Sequence, residues 1–250
     1  MIPTFTFFAV GKGNMTLVEF DNGINMLVDC RRAADRPTPL QYLLDRVKKI
    51  DIVVISHPHC DHLTGFTEIC EHFKPMHLWH CGRYFRPDPV FDDWIYYERL
   101  RKGELPFCSP REVHCGLTFR IGSSEVAVLG PKRPFLEGTP DDVNNNGIIL
   151  SIATENSKVV VTGDTQVEQW DAIDASRLVG TSVFLASHHG RENGFSERIM
   201  NMTRPGRIII SDGEPADTDV AARYASFAPV STTRTHNVVV SAVRTAASVG

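Results

Sequence analysis

The chain alternates between short apolar runs and segments whose apolar residues recur at helical spacing. The runs at 4–10 and 15–20 are rich in β-branched and aromatic residues, a composition that favours β-strands. Residues 38–49 instead carry apolar side chains three and four positions apart, with Pro39 at the first helical position. The pattern therefore predicts alternating strands and helices, beginning with a hairpin around the glycine-containing turn at 11–14.

The rest of the chain continues this alternation in two blocks of strands. Strands are expected at 23–30, 50–57, 75–81, 117–122, 125–130, 147–154, 158–164, 182–189 and 206–213, and helices at 63–73, 92–102, 167–175 and 196–202. Because each block of strands is accompanied by helices, we expect an α/β fold in which two stacked sheets carry helices on their outer faces. The sequence has no internal repeat or low-complexity linker, so residues 1–250 are expected to form a single domain.

Composition and charge narrow the class of protein. Hydrophobic residues make up 42% of the 250 residues and the net charge is −4, which argues against a broadly basic nucleic-acid-binding surface but allows a local basic groove. No apolar run approaches the ~18 residues that a membrane span needs, so no membrane association is expected. The six cysteines form no CxxC pair and no export signal precedes them, which favours reduced thiols and a cytoplasmic location.

Four residues with metal-binding side chains follow the apolar run at 50–56. The stretch "VVISHPHCDHLTG" places His57, His59, Asp61 and His62 within six residues. Side chains at the end of a buried strand emerge at the edge of the sheet, where α/β proteins usually carry their sites, and imidazole and carboxylate groups bind Zn, Mn or Fe. Because Asp61 and His62 are adjacent, they point in different directions, and the motif predicts two neighbouring metal positions.

This motif, followed by Gly65, resembles the signature of the metallo-β-lactamase fold. The segments "VGKGN", "NNNGIILSI", "VVVTGDTQ" and "LASHHGREN" are similar, in order and spacing, to the hydrolase domains of the ComEC-like, DNA-uptake branch of that family. The resemblance runs from about residue 5 to about residue 213. It implies a four-layer αββα sandwich and a metal-dependent hydrolase.

The resemblance also implies metal ligands. His57 and His59 would bind the first metal, and Asp61 and His62 the second. Asp164, in the Thr-Gly-Asp segment, would be the carboxylate that bridges the two metals.

Three other residues near these motifs receive expected roles. His188 and His189 are both candidate ligands, but adjacent strand residues face opposite ways, so we expect only one of them to contact a metal. Asp29 is expected to orient a histidine instead of binding metal. Cys60, inside the first motif, points away from the flanking ligands, and a packing role is expected for it instead of a catalytic one.

The sequence departs from the family pattern in two places. Many hydrolases of this fold carry a histidine before the Gly-Asp segment, where this chain has Asn144 and Asn145. An amide oxygen is a harder donor than imidazole, which shifts the preference of one position toward Mn or Mg. The family's last histidine is also missing. The available substitutes for it are Asp212, Asp217, Asp219 and His236.

We therefore expect Zn or Mn, one or two ions per chain, to lower the pKa of water toward neutrality. Asp61 is the natural acceptor of the proton released. Cations near the motifs could bind a substrate phosphate. They are Lys12, Arg31, Arg32 and Arg191.

The favoured function is that of a phosphodiesterase or nuclease acting on nucleic acid or a nucleotide. Two alternatives remain open at this stage. The first is a hydrolase of another ester, a lactone, a thioester or an amide, since one fold hosts many chemistries. The second is a catalytically weak protein that binds a protein partner or a second copy of itself in a larger assembly.

Overall fold

The computed structural model describes residues 2–32, 39–138, 142–213 and 220–241, and its strands form two seven-stranded sheets. The strands of the first sheet are β1 (Thr4–Phe7), β2 (Thr16–Glu19), β3 (Asn25–Val28), β4 (Ile52–Ile55), β5 (His77–His80), β6 (Ser109–Glu112) and β14 (Val238–Ser241). The strands of the second sheet are β7 (Thr118–Ile121), β8 (Ser124–Gly130), β9 (Ile149–Ala153), β10 (Lys158–Val161), β11 (Val183–Leu185), β12 (Arg207–Ile210) and β13 (Val230–Thr232).

Both sheets are mixed, with a parallel half and an antiparallel half. The first has the order β14-β1-β2-β3-β4-β5-β6, in which β3 to β6 run parallel. The second has the order β13-β12-β11-β10-β9-β8-β7, in which β10 to β13 run parallel. The carboxyl ends of the parallel strands in each sheet therefore lie along one edge, which is where the polar motifs emerge.

Helices cover the outer face of each sheet. Their bounds are α1 (Pro39–Arg46), α2 (Cys60–Leu63), α3 (Phe66–Phe73), α4 (Asp92–Arg101), α5 (Val167–Ala172), α6 (Glu197–Thr203) and α7 (Ala221–Ala225). Within the described ranges, none of these helices has the length and apolar character needed to cross a membrane.

The buried side chains form three layers of core, which give the four-layer αββα sandwich. Strand β4 shows how: Val54 packs into the core between the sheets, whereas Val53 and Ile55 pack against the helices outside the first sheet. The third core lies between the second sheet and its helices and includes Trp170 and Phe184. The expected two stacked sheets with outer helices are thus confirmed, and so is a β4 that is buried on both faces.

Candidate metal centre

The residues of the centre come from the ends of parallel strands in both sheets. Asp29 follows β3 and His57 follows β4, whereas Asp164 follows β10. Backbone hydrogen bonds link the segments at this edge: Ile148 N–H, just before β9, donates to the carbonyl of Ser56 after β4 (2.9 Å). His188 N–H, after β11, donates to the carbonyl of Gly163 after β10 (3.2 Å). Residues that are far apart in the sequence therefore converge on one edge of the sandwich.

The first motif folds into a short loop and the single-turn helix α2. His57 lies in the loop and is fully buried, His59 is half-buried, and His62 lies on the buried side of α2. Asp61 is partly open, with 31% of its side chain exposed. The turn of helix thus separates a buried imidazole from a carboxylate that reaches solvent. Cys60, in contrast, is exposed, so the packing role expected for it does not fit its position.

Donor atoms converge in two groups. In the first, His57 Nε2 lies 3.1 Å from His59 Nδ1. The second group is a cluster of Asp61, His62, Asp164 and His189, whose ligand atoms lie within 4.8 Å of one another. Its shortest separations are 3.0 Å from His62 Nε2 to Asp164 Oδ1 and 3.5 Å from His189 Nε2 to a carboxylate oxygen of both Asp61 and Asp164.

These separations suit a bound metal ion. Two ligand atoms of a four-coordinate zinc, each about 2.1 Å from the ion, lie about 3.4 Å apart. Three atoms of the cluster are buried and make no hydrogen bond to the described residues: His62 Nε2, His189 Nε2 and Asp164 Oδ1. Buried polar atoms are costly unless they have partners, and imidazole nitrogens with carboxylate oxygens are the donors that Zn and Mn take. The residues present therefore fit a metal.

Asp164 lies between the two groups of donors. Its Oδ1 faces His62, and its Oδ2 lies 3.9 Å from His57 Nε2 and 3.5 Å from His189 Nε2. Because donors of both groups lie within 3.9 Å of this carboxylate, with Oδ2 facing His57 as well as His189, the side chain can contribute to two metal positions at once. The bridging role expected for Asp164 is compatible with this geometry, and the ligand assignment itself stays a prediction.

The electrostatics of the centre keep its carboxylates ionised. Burial alone would raise the pKa of Asp164, but the charges of His62 and His189 outweigh burial and hold this pKa well below its usual value. Burial also acts to raise the pKa of Asp61, but the close approach of His189 Nε2 (3.5 Å) and the charge of His62 lower it instead. Two carboxylates therefore remain available as anionic ligands at neutral pH.

The pKa values of the histidines are shifted in opposite directions. Burial lowers the pKa of His57 well below its usual value, with the neighbouring His62 and His59 adding to the effect. Burial lowers the pKa of His62 and of His189 too, but the charge of Asp164 prevails, raising the first well above its usual value and the second to about 9. In the protein without metal these two rings therefore favour the protonated form, and a bound metal cation would displace those protons.

Asp29 holds part of the first motif in place from behind. Its Oδ2 lies 2.8 Å from His62 Nδ1 and accepts a hydrogen bond from the Ser56 hydroxyl (2.9 Å), while its Oδ1 accepts from the Ser56 N–H (2.8 Å). The carboxylate fixes the ring so that Nε2 faces the cluster. This matches the orienting role expected for Asp29.

The sequence had indicated that the two adjacent histidines lie on a strand, but they do not. β11 ends at Leu185, and both His188 and His189 have left-handed backbone conformations, with φ of 51° and 57°. His189 joins the cluster of four donors, whereas His188 Nε2 lies 3.7 Å from Asp164 and 3.4 Å from the guanidinium of Arg191. The strand-based reason for expecting only one ligand is therefore wrong, although the geometry still favours His189.

The two asparagines differ in their surroundings. Asn145 faces α5: its amide N–H donates to Glu168 (3.0 Å), and its Oδ1 accepts from the Gln169 N–H (3.3 Å). Those contacts engage its amide with α5, which makes Asn145 the weaker candidate to replace a histidine ligand. Asn144 is buried in the turn that precedes Ile148, next to Ser56, and stays the candidate of the pair.

The substitutes proposed for the last family histidine do not join the cluster within the described residues. Asp212 is fully buried, and its Oδ2 accepts a hydrogen bond from Arg234 (2.5 Å), so this carboxylate serves a buried ion pair. His236 lies in another cavity, lined by Phe8 and Tyr42. Asp217 and Asp219 lie outside the described residues.

The four candidate phosphate-binding cations differ in position. Arg191 approaches His188, as given above, and Arg31 lies against Gly13 at the border of the motif, with its guanidinium 3.4 Å from the hydroxyl of Thr64. Arg32 instead forms a surface ion pair with Glu68 (3.2 Å). Arg191 therefore contacts a candidate ligand, and Arg31 contacts the border of the motif. Lys12 lies on the same turn as Gly13, where its backbone N–H faces Gly213.

An open cleft of about 690 Å³ adjoins the centre. It shares His59 and Asp61 with the metal-binding residues, and its other walls come from the loop after β5 and the start of α4. The lining residues beyond the motif are Phe85, Pro87, Asp88, Pro89, Phe91, Asp92 and Asp93. The sequence analysis did not find this cleft, although the aromatic and proline residues of that loop were its signal.

Comparison with known proteins agrees with this geometry. A family model described as "Beta-lactamase superfamily domain" matches residues 20–189, which is more than half of the chain. The chain belongs to this superfamily. The expected family is thereby confirmed, whereas the assignment to its ComEC-like branch stays a prediction.

Individual relatives and solved structures are also similar to this chain. It is 36% identical over 142 residues to a protein named Anti-Pycsar protein Apyc1 from Bacillus phage vB_BsuM-Goe3, a match that covers 53% of each protein. The chain thus spans about half the length of the curated relatives it matches.

The fold of the chain resembles that of the metallo-beta-lactamase fold protein YhfI from Bacillus subtilis, with a TM-score of 0.62, 11% identity, and coverage of 96% of this chain and 100% of the other. It also resembles a diphosphatase from the PhnP family, with a TM-score of 0.53, 12% identity, and coverage of 95% and 97%.

Proposed function

We propose that this protein is a metal-dependent phosphodiesterase that acts on a nucleotide or nucleic acid. The observation that carries the proposal is the position of Asp164 between the pair His57–His59 and the cluster that contains His62 and His189. These residues would be able to hold two metal ions, which in phosphatases and nucleases stabilise the attacking and the leaving oxygen of the displacement.

Two further findings support phosphoryl chemistry. The guanidinium of Arg191 beside His188 can bind a phosphate oxygen at the rim of the centre. Among the similar proteins, the PhnP-family structure is titled a diphosphatase, and the phage relatives carry the name Anti-Pycsar protein Apyc1. We carry phosphoester hydrolysis over from that diphosphatase as part of the proposal.

The chain's own residues have separate roles in this proposal. A divalent metal, when bound, supplies Lewis acidity that lowers the pKa of water and polarises a phosphoryl oxygen. Asp61, ionised and open to the cleft, accepts the proton of the attacking water at its carboxylate. His57, His59, His62, Asp164 and His189 hold the metal, and Asp29 keeps the ring of His62 oriented.

A cofactor and a domain organisation belong to this proposed function. We propose Zn or Mn as the cofactor, in one or two ions per chain, with residues 1–250 acting as one domain. A cytoplasmic location stays a prediction from the cysteine content. All six cysteines are free thiols in the structure.

A panel of substrates tests the function. Protein loaded with Zn or Mn should hydrolyse phosphodiesters faster than lactones, thioesters or carboxylic esters. Asp61→Asn should lower kcat by about 100-fold or more, because it removes the proton acceptor. Asp171→Asn serves as a control because its side chain is 73% exposed on α5. Faster turnover of a lactone or thioester, or full activity in Asp61→Asn, would overturn the proposal.

A further inference from the structure

The cleft beside the metal centre has walls that are flat and apolar. Phe85 packs its ring edge-on against the ring of His59, with centroids 4.9 Å apart and planes at 76°. Phe91, Pro87 and Pro89 also line the cleft. Because aromatic and proline rings present flat apolar faces, a planar group of the substrate can stack in this space.

The wall formed by Phe85 is held in position by α4. The indole N–H of Trp94, on that helix, donates a hydrogen bond to the backbone carbonyl of Phe85 (2.9 Å). Trp94 is itself buried against the core outside the first sheet. The ring that meets His59 is therefore supported before any ligand arrives, which lowers the ordering cost of binding.

The charged residues of the cleft are all acidic. Asp93 is already engaged: its carboxylate accepts hydrogen bonds from the N–H groups of Gly65 (3.2 Å) and Thr67 (2.8 Å) at the start of α3. Asp88 and Asp92 are exposed at the rim. Within the described part of the chain, no lysine or arginine lines this cleft. A phosphate entering it would meet like charge, whereas an N–H donor would meet acceptors.

We propose that the cleft binds the planar, uncharged group of the substrate, such as a nucleobase, and that its acidic rim excludes a second phosphate. This inference rests on the proposed phosphodiesterase function, because it assigns the reacting phosphate to the metal centre. It narrows the substrate to a small phosphodiester with one phosphate and one stacked ring system, and it disfavours a continuous nucleic-acid strand.

Calorimetric titrations of the Zn-loaded protein test the planar wall without depending on turnover. Adenosine 5′-monophosphate should bind at least about tenfold more tightly than ribose 5-phosphate, because only the former carries a ring system that stacks. Phe85→Ala should remove this difference, and Phe85→Leu, which keeps apolar bulk without a flat ring, should also reduce it. Tyr84→Ala is the matched control, since Tyr84 is the preceding residue, is 56% exposed and lies outside the cleft lining.

The acidic rim is tested with a second phosphate. Adenosine 5′-diphosphate should bind no more tightly than the monophosphate, and the double variant Asp88→Asn and Asp92→Asn should improve diphosphate binding relative to monophosphate by several-fold. Equal affinity for ribose 5-phosphate and the monophosphate, or unchanged ratios in the variants, would overturn the inference. The two proposals fail differently: stacking without hydrolysis of any phosphodiester would reject the function alone, and hydrolysis without a preference for the ring system would reject the cleft assignment alone.

Discussion

At the scale of single residues, Asp164 determines how the centre is built. Its two oxygens face donors that come from β4, from α2 and from the turn after β11. A carboxylate buried to this degree is tolerated because the groups that contact it are cationic or can bind a metal. The sequence could indicate Asp164 through the Thr-Gly-Asp segment, but only the fold shows that this side chain lies between both groups of donors.

Replacing that carboxylate should weaken metal binding. We expect Asp164→Asn to lower the affinity for Zn by about 100-fold or more, because a neutral amide removes an anionic ligand shared by the cluster. Competition with a chromophoric chelator measures this affinity. Asp171→Asn, on the exposed face of α5, should bind Zn like the wild type. An unchanged affinity in Asp164→Asn would show that the metal binds elsewhere.

The raised pKa values of His62 and His189 predict that metal binding releases protons. In the protein without metal, His189, with a pKa of about 9, is protonated at neutral pH, and the pKa of His62 is shifted in the same direction. A ligating imidazole must give up its proton, so binding should release at least one proton near pH 7 and the metal affinity should rise with pH. Calorimetry in two buffers of different ionisation enthalpy counts these protons. Identical heats in both buffers would contradict the assignment.

At the scale of elements, the strands and helices with clear periodicity were predicted and the weakly patterned ones were not. β6 has the sequence Ser-Pro-Arg-Glu, and it forms because it pairs with β5 at the edge of the first sheet, where a proline is tolerated. β13 and β14 are likewise edge strands that only their partners define. The single-turn helix α2 lies within the metal motif itself, too short for any periodicity to reveal.

The glycine turn between β1 and β2 offers a test at this scale. A Cβ on Gly13 would lie 2.2 Å from the carbonyl oxygen of Asp61, so only glycine allows the turn to lie against the motif. We expect Gly13→Ala to lower the free energy of unfolding by about 3–5 kcal/mol, from backbone strain and from this clash together. Gly23 also has a positive φ, 80° against 130° at Gly13, but a Cβ there would meet no atom within 4 Å, so Gly23→Ala should cost about 1–2 kcal/mol. Urea unfolding measures both variants, and an equal loss of unfolding free energy in the two would show that the contact with Asp61 does not matter.

At the scale of the whole molecule, two sheets meet so that their parallel halves share one edge. The αββα arrangement could be predicted from two blocks of strands with accompanying helices, and the first motif from its spacing. The second half of the site could not, because the partners that occupy Asn145 and Asp212 are Glu168 and Arg234, each more than twenty positions away. Sequence proximity gives no sign of such contacts, and the fold alone reveals them.

Because the donors come from both sheets, metal binding should stabilise the entire fold. A metal that binds only the folded state adds about 2.7 kcal/mol at a free concentration 100 times its Kd. The melting temperature of chelator-treated protein should therefore rise with added Zn or Mn, and Asp164→Asn should show little of this rise. A melting temperature that does not respond to either metal would count against the centre.

The most direct test of the central claim joins metal content to hydrolysis in one titration. Protein stripped of metal is titrated with Mn and with Zn while hydrolysis of bis(p-nitrophenyl) phosphate and the number of ions bound per chain are followed together. We expect activity to be negligible in the stripped protein, to rise in proportion to occupancy up to one or two ions per chain, and to be lost in Asp164→Asn. Phosphodiester hydrolysis that persists without bound metal, or that ignores Asp164→Asn, would contradict the account.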